Sequence, residues 1–277
     1  MSQTGHQALA EAVRRLAAAG VPDAPGDALA LLGFALGVPR HSVRGELSQP
    51  LPAPAQTAFA AAIEARAARQ PVSQILGWRE FWKHRFRVTA DTLDPRPETE
   101  TLVAAALELP WDSVLDLGTG TGAILLSLLA ERPGARGLGV DLSEAALEVA
   151  RDNAQTLGIA ADFRRSDWFS GVGGRFGLIV SNPPYIALDE IAALSPEVRE
   201  WEPRAALTDE GDGLSAYRAI AAGAGAHLLP GGWLALEIGP TQGAAVAALM
   251  AAAGFGEIAL RQDLDGRDRV VMGQFLP

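Results

Sequence analysis

From residue 112 onward, short apolar runs alternate with amphipathic stretches, and that alternation leaves few folds open. Runs at Ser113–Leu117, 137–140, 161–165, 176–181 and 233–238 have strand length and strand composition. Between them, 121–131, 144–157, 217–228 and 241–253 carry helical periodicity. Ser143 can cap one of these helices, and Gly158 and Gly254 can stop two. Strands separated by helices form a parallel, doubly wound sheet with right-handed crossovers. Two last runs, 256–262 and 268–275, have no helix between them and predict a terminal antiparallel hairpin. The expected fold class is therefore α/β, with a doubly wound, mostly parallel seven-stranded sheet of Rossmann-like type.

The chain before this region reads differently. A first helix over 6–19 has apolar residues at 9, 13 and 16 and stops at Gly20. A second covers 27–36, ended by Gly37 and Pro39, and a third covers 55–69, after Pro52 and Pro54 and before Pro71. These short, Ala-rich helices predict a small bundle. In 72–93 the aromatics Trp78, Phe81, Trp82 and Phe86 are interleaved with Arg79, Lys83, Arg85 and Arg87, and a hairpin fits the alternation at 84–88. Pro97 and the acids around it suit the start of a helix over 98–108. The expected division is a helical domain over 1–71, a β-hairpin linker over 72–94 and the α/β domain over 95–277, with a hinge near 71–75.

Bulk properties narrow the class. The 277 residues are 48% hydrophobic with a mean hydropathy of +0.12, enough for a substantial core. There is no run of 18 uncharged apolar residues, so no membrane span is expected. Residues 1–10 hold no basic stretch followed by an apolar one, so no secretory leader is expected. With no cysteine there is no disulfide, thiolate metal site or cysteine nucleophile. This composition suits a cytoplasmic protein. The four histidines, at 6, 41, 84 and 227, lack metal-ligand spacing. Formal charge is −10, and residues 1–70 hold six Arg against five Asp or Glu, leaving the rest at about −11. Nucleic-acid affinity rests on Lys and Arg at phosphates, so an acidic main domain disfavours a dedicated nucleic-acid binder.

Three stretches carry chemistry. After the first strand come Asp116, Leu117, Gly118, Thr119, Gly120, Thr121 and Gly122, opening a helix. Glycines allow a tight turn and close approach of a ligand. Gly118, Gly120 and Ala123 fit the loose dinucleotide pattern, and Asp141 lies about 20 residues on, where a ribose-binding acid is placed. A nucleotide-containing cofactor is thus expected. Asp116, before the glycines, suits the ammonium of an amino acid better than a pyrophosphate, which favours S-adenosylmethionine over NAD. Leu142, next to Asp141, belongs to the same expected pocket. At the end of the third strand, the Asp167 carboxylate can accept from an adenine amino group, and the Trp168 ring can pack on the base.

The third stretch is Asn182-Pro183-Pro184-Tyr185, which ends the fourth strand. Proline donates no N–H and pushes the preceding residue extended, so the strand becomes a stiff elbow. The fourth strand is expected beside the first, so the elbow faces the glycine loop at the topological switch point. The Asn182 side-chain oxygen and the Pro183 carbonyl can hold the two N–H bonds of a planar amino or amide group. The Tyr185 ring can stack on it. Such a site suits methyl transfer to nitrogen by positioning and electrostatics.

Asn-Pro-Pro-Tyr after a strand, with Asp-Leu-Gly-Thr-Gly-Thr-Gly upstream, resembles the amino-methyltransferases that use S-adenosylmethionine. Pro71-Val72, Gly77-Trp78-Arg79-Glu80-Phe81-Trp82, Pro95-Arg96-Pro97-Glu98-Thr99-Glu100, Ser166-Asp167-Trp168-Phe169 and Trp201-Glu202-Pro203-Arg204 narrow this. Together they resemble the peptide-chain release factor glutamine methyltransferases, the PrmC/HemK family. The resemblance runs from about 70 to the end and implies a class I methyltransferase fold. It implies cofactor contacts from Gly118 to Gly122, Asp141 and Trp168. It also implies that Asn182 to Tyr185 hold the glutamine of the Gly-Gly-Gln motif in class-1 release factors, giving N5-methylglutamine. Arg96 and Glu98 would border the pocket, with a local salt bridge as the alternative, and Glu237 is a further candidate. The helical domain would recognise the release factor, and the protein would act as a monomer. Asp94 departs from the pattern, where an aliphatic residue is expected.

Other readings stay open on sequence alone. The runner-up is an amino-group methyltransferase of nucleic acid, acting on adenine N6 or guanine N2. A non-catalytic binding module and an NAD oxidoreductase are the remaining two.

Overall fold

A computed structural model describes residues 3–276. The chain forms α1 (Gly5–Ala18), α2 (Ala24–Leu36), α3 (Val43–Glu46), α4 (Ala53–Ala67) and α5 (Val72–Leu76). The hairpin strands β1 (Trp78–Phe81) and β2 (His84–Arg87) follow, then α6 (Glu100–Glu108), β3 (Ser113–Leu117), α7 (Ala123–Glu131), β4 (Arg136–Asp141), α8 (Glu144–Leu157), β5 (Asp162–Arg165) and β6 (Phe176–Ser181). Next are α9 (Pro196–Trp201), α10 (Arg204–Leu207), α11 (Ser215–His227), β7 (Leu228–Glu237), α12 (Gly243–Ala252), β8 (Phe255–Gln262) and β9 (Asp268–Phe275). These elements fall into two units, residues 1–77 with 195–201, and residues 78–194 with 202–277.

The first unit is helical. Thr4 and Gln7 form a capping box at the start of α1, with the Thr4 N–H donating to Gln7 Oε1 at 3.0 Å. Asp23 caps α2 by accepting from Gly26 N at 3.0 Å, so α2 starts earlier than the sequence suggests. Gly37 ends it with φ +68°, the left-handed position expected of a glycine stop. The buried seam of α1 is Ala8, Ala12 and Leu16, while Leu9 and Val13 are half-exposed. The 9–13–16 stripe is therefore displaced by one residue at its start, because small Ala side chains let α1 pack closely. Leu31, Leu32, Phe59 and Ile63 complete this core. The α9 turn joins the unit through Glu197, which accepts from Arg66 Nη2 at 2.9 Å and from Arg69 Nε and Nη2 at 2.7 Å each.

The second unit is a seven-stranded sheet of order β5-β4-β3-β6-β7-β9-β8, with β1 and β2 as a separate antiparallel pair. Strands β5 to β7 pair in parallel, while β9 runs antiparallel to both β7 and β8. The terminal hairpin expected from the missing helix is present. Strand β7 starts at Leu228, earlier than the predicted 233, because Pro230, Gly231 and Gly232 are absorbed by a shift in its pairing with β6. The central strands β3 and β6 are mostly apolar because both faces are covered, with Ser113, Asp116 and Ser181 as their buried polar positions. Val114, Leu178 and Val180 pack with α6 and α7 on one face, and Leu115, Ile179 and Leu236 with α11 and α12 on the other. Because β3 and β6 are neighbours, with Leu117 opposite Ser181, the glycine loop and the Asn182 elbow leave the sheet side by side.

Candidate active site

Beyond β3 the chain turns through Gly118, Gly120 and Gly122, at φ of +69°, +53° and +77°. Residues with a Cβ resist this region, so the loop needs glycine at these positions. Gly122 is left-handed, which is why α7 starts at Ala123 and not at 121. Gly118 N and Thr119 N both donate to Val140 O, at 2.8 and 2.9 Å. Asp141, at the end of β4, accepts from Gly120 N through Oδ2 and from Ser143 N through Oδ1, each at 2.9 Å. One carboxylate therefore fixes both the glycine loop and the entry to α8. Asn153 of α8 adds a bond from Nδ2 to Thr121 O at 2.9 Å.

Beneath the loop, Asp116 is fully buried. Its Oδ2 accepts from the Thr119 hydroxyl at 2.7 Å, and its Oδ1 has no partner among the described residues. Burial pushes the carboxyl up to about 7, with the Thr119 hydrogen bond opposing and the charge of Asp141 adding to the rise.

The elbow is clamped from both sides. Ser181 donates its hydroxyl to Leu117 O at 2.7 Å, tying the ends of β6 and β3. Tyr185 O accepts from Gln242 Nε2 at 2.9 Å, and Ile186 N donates to Leu207 O at 3.0 Å. Asn182 Nδ2 donates to the Thr99 hydroxyl oxygen at 3.3 Å. Burial pushes the Tyr185 phenol up to about 12, with the Glu237 charge adding.

A cavity of about 570 Å³ opens between the loop and the elbow. Of the residues singled out in the sequence, Gly118, Thr119, Gly120, Thr121, Asp141, Leu142, Asp167, Trp168, Asn182, Pro184 and Arg96 line it. Asp116, Gly122, Pro183, Tyr185, Glu98 and Glu237 do not. Asp116 lies under the loop, and Glu98 is exposed on a turn before α6. Pro183 is buried, and Tyr185 packs its ring in the core on the α11 side of the sheet. Glu237, at the end of β7, is 1% exposed, and Oε2 has no partner among the described residues. Burial pushes its carboxyl up to about 7, while the Thr99 hydroxyl and then Arg269 pull it down.

Arg96 does form a salt bridge, but not with its neighbour Glu98. Its Nη2 reaches both oxygens of Glu202, at 2.6 and 2.7 Å, across 106 positions of sequence. Glu202 is buried, and burial pushes its carboxyl up to about 7 against the pull of Arg96. Asp94, the position expected to be aliphatic, is buried and pairs with Arg79 at 3.5 Å. Sequence reasoning did not assign roles to Thr99, Glu202 or the cavity-lining residues Pro203, Ala205 and Ala206. For Thr99, Glu202 and Pro203 the only signal was membership in the stretches 95–100 and 201–204, and Ala205 and Ala206 lie outside both.

The basic hairpin proves to be neutralised within its own unit. Lys83 pairs with Glu131 at 2.6 Å, Arg87 with Asp152, and Arg79 with Asp94. Arg85 lies over the Trp78 ring, 3.7 Å from its centre, and reaches Glu80 at 3.4 Å. Among the described residues no helix is long and apolar enough to cross a membrane, and no His, Cys, Asp and Glu group could hold a metal ion.

Comparison with known proteins agrees with this geometry. Residues 7–77 match the PrmC N-terminal domain, and residues 90–195 match the methyltransferase small domain. The release factor glutamine methyltransferase of Cereibacter sphaeroides is 60% identical over 95% of this chain and 96% of its own. That of Rhodospirillum rubrum is 45% identical over 94% of this chain and 82% of its own. Among solved structures, a methyltransferase from Pyrococcus furiosus has a TM-score of 0.54 at 16% identity, covering 69% of this chain and 89% of that one, a likeness of fold. One family model falls on the helical region and the other on the glycine loop and the elbow, the identity to the relatives runs across both, and the chain belongs to the release factor glutamine methyltransferase family.

Proposed function

We propose that the protein transfers the methyl group of S-adenosylmethionine to the side-chain amide nitrogen, N5, of the glutamine in the Gly-Gly-Gln motif of class-1 peptide-chain release factors. The observation that carries this reading is the shared cavity. Asn182, whose Oδ1 accepts no hydrogen bond among the described residues, lines the same space as Gly118 to Thr121 and Asp141. An acceptor for amide N–H bonds thus faces a cofactor cradle.

The residues present fit S-adenosylmethionine. Asp116 Oδ1 is a buried acceptor without a partner beneath the loop, matched to an ammonium. A Cβ at Gly118 or Gly120 would meet no protein atom within 4 Å, so the loop leaves room for a ligand against its backbone. Asp141, Leu142, Asp167 and Trp168 supply a carboxylate, an exposed apolar surface, a second carboxylate and an aromatic ring around the same cavity. When bound, S-adenosylmethionine supplies an electrophilic methyl group on a sulfonium.

The protein's own part is positioning. Asn182 Oδ1, at the cavity, accepts from an N–H bond of the substrate amide, turning its nitrogen toward the cradle. The proline elbow, with Pro183 buried behind it, keeps this acceptor fixed, so little reorganisation is needed during transfer. Tyr185 supports the elbow from the core side, and its raised pKa keeps the phenol neutral at physiological pH. Arg96, held by Glu202, forms the cavity wall near Asn182. The helical unit over residues 1–77 serves to recognise the release factor.

The paired cations of the hairpin and the charge of about −11 beyond residue 70 weigh against a nucleic-acid substrate. The test is mass spectrometry of purified release factor after incubation with the protein and S-adenosylmethionine. A gain of one methyl on the Gly-Gly-Gln glutamine is expected. Methyl label on duplex DNA or ribosomal RNA, with none on release factor, would overturn the proposal.

A further inference from the structure

The elbow carries two consecutive prolines, and neither Pro183 nor Pro184 has an N–H to anchor it. Its downstream end is held by a side chain 57 positions further along the sequence. Gln242 stands at the head of α12, a helix fixed in the core by the fully buried Val246 and Met250. Its Nε2 donates to Tyr185 O at 2.9 Å and to Gly213 O at 3.3 Å, and its Oε1 accepts from Gly239 N at 3.0 Å. A carbonyl only accepts and a backbone N–H only donates, so these three partners fix on chemical grounds which way the amide points. A carboxylate here would turn an oxygen toward two carbonyls, and an apolar side chain would bond to none of the three groups. The position therefore requires an amide and not merely a filled volume.

The segments that Gln242 joins also meet backbone to backbone. Ile186 N donates to Leu207 O at 3.0 Å, and Leu188 N to Gly211 O at 2.9 Å. Gly213, at φ +73°, lies so close that a Cβ there would stand 2.3 Å from Tyr185 O. Asp209 holds this loop from within, its Oδ1 accepting from Gly211 N and Gly213 N and its Oδ2 from Ser215 N. One amide thus ties together the 207–215 loop, the turn after β7 and the elbow. Tyr185 is separated from Asn182 by the two prolines alone, whose fixed φ passes a shift at Tyr185 on to Asn182 instead of absorbing it. Gln242 does not line the cavity, so its action there runs through the elbow.

We propose that Gln242 is a positioning residue for methyl transfer, whose amide fixes the Tyr185 carbonyl and with it the direction in which the elbow presents Asn182 to the substrate nitrogen. The inference rests on the functional reading above. It goes beyond that reading by assigning part of the alignment to a side chain that touches neither cofactor nor substrate.

The experiment compares wild-type protein with Gln242→Met, Gln242→Glu and Val246→Ala in steady-state methylation of purified release factor, run well below the melting temperature of each, with calorimetry for S-adenosylmethionine alongside. Gln242→Met keeps an unbranched side chain and removes the donor and the acceptor. Its kcat should fall about tenfold or more, while KM for release factor and the cofactor Kd stay within about twofold. Gln242→Glu keeps the acceptor toward Gly239 N and sets an oxygen against the two carbonyls. It should show a loss at least as large, again confined to kcat, and decides the matter if Gln242→Met does not fold. Val246→Ala loosens the same helix by removing buried methyl groups and leaves the amide in place. It should melt at a lower temperature than wild type and keep kcat within about twofold. Wild-type kcat in either Gln242 variant, a loss carried by KM or by the cofactor Kd, or an equal loss of kcat in Val246→Ala would each overturn the inference. Wild-type protein that leaves release factor unmethylated overturns the functional reading and this inference together. Active wild type with an equally active Gln242→Met overturns the inference alone.

Discussion

Thr119 donates its hydroxyl to Asp116 Oδ2 at 2.7 Å, while the other oxygen of that buried carboxylate has no partner. The carboxyl is raised to about 7, so it protonates as pH falls through that value. Protonation removes the charge that suits the cofactor's ammonium. S-adenosylmethionine affinity should therefore fall as pH drops from 8 to 6, and Asp116→Asn should bind weakly with a flat profile. Calorimetry across this range is the check, and a wild-type profile as flat as the variant's would contradict the assignment.

Asn182→Ala should remove the amide acceptor without disturbing the glycine loop, because Asn182 bonds to Thr99 and not to residues 118–122. Methyl transfer should drop by about 10²-fold or more, the range for losing one positioned transition-state contact. Cofactor binding should be largely retained. The check is a single-turnover assay beside calorimetry, and a variant that loses both together would place Asn182 in cofactor binding.

Arg96 and Glu202 differ in exposure, with side chains 33% and 1% exposed. Arg96→Ala strands a buried carboxylate and should cost about 1–3 kcal/mol at pH 8, less than a fully buried pair because Arg96 is partly solvated. The sign of its pH dependence follows from Glu202. A folded pKa raised from 4.5 to about 7 contributes stability that is present below the unfolded value and lost as pH rises. Removing Arg96 raises that pKa further, so the variant should be closer to wild type at pH 6 than at pH 8. Thermal melts at the two values decide it, and an equal deficit at both would rule out the charge-based account.

In the helical unit the sign is reversed. Burial alone would raise Glu197, but hydrogen bonds from Arg69 and then Arg66 bring it down to about 2. Its contribution is present above the unfolded value of 4.5 and is lost as pH falls toward 2. Glu197→Ala leaves Arg66, itself 5% exposed, short of a partner and should cost about 3 kcal/mol at neutral pH. Denaturant melts of wild type and variant should converge as pH is lowered through 4. A constant gap would mean that packing, not charge, carries the loss.

Where the sequence was legible, the determining forces were local. Ser143 and Gly158 bound α8 as expected because a cap and a left-handed stop depend on a few adjacent residues. Ser113–Leu117 was readable because a strand buried on both faces is apolar between its polar positions, here Val114, Leu115 and Leu117 against Ser113 and Asp116. Short helices such as α3 and α5 were missed because four or five residues give no periodicity to detect. The division of roles around the cavity was less legible. Tyr185 and Glu237 were placed at the substrate, but the cavity is lined instead by Thr99, Pro203, Ala205 and Ala206. Small residues at a cavity wall carry no signature of their own.

The sequence by itself determined the alternation that builds the sheet, the left-handed glycines of the loop and the proline elbow that displays Asn182. Each follows from backbone preferences and from which side chains avoid water. Tertiary structure alone decided that Glu202 returns 106 residues to hold Arg96, that Asp116 is buried with one oxygen unpaired among the described residues, and that Thr99 meets Asn182. A hydrogen bond between distant positions, and the desolvation that moves a pKa, depend on which surfaces pack together, and neither leaves a local mark in the chain.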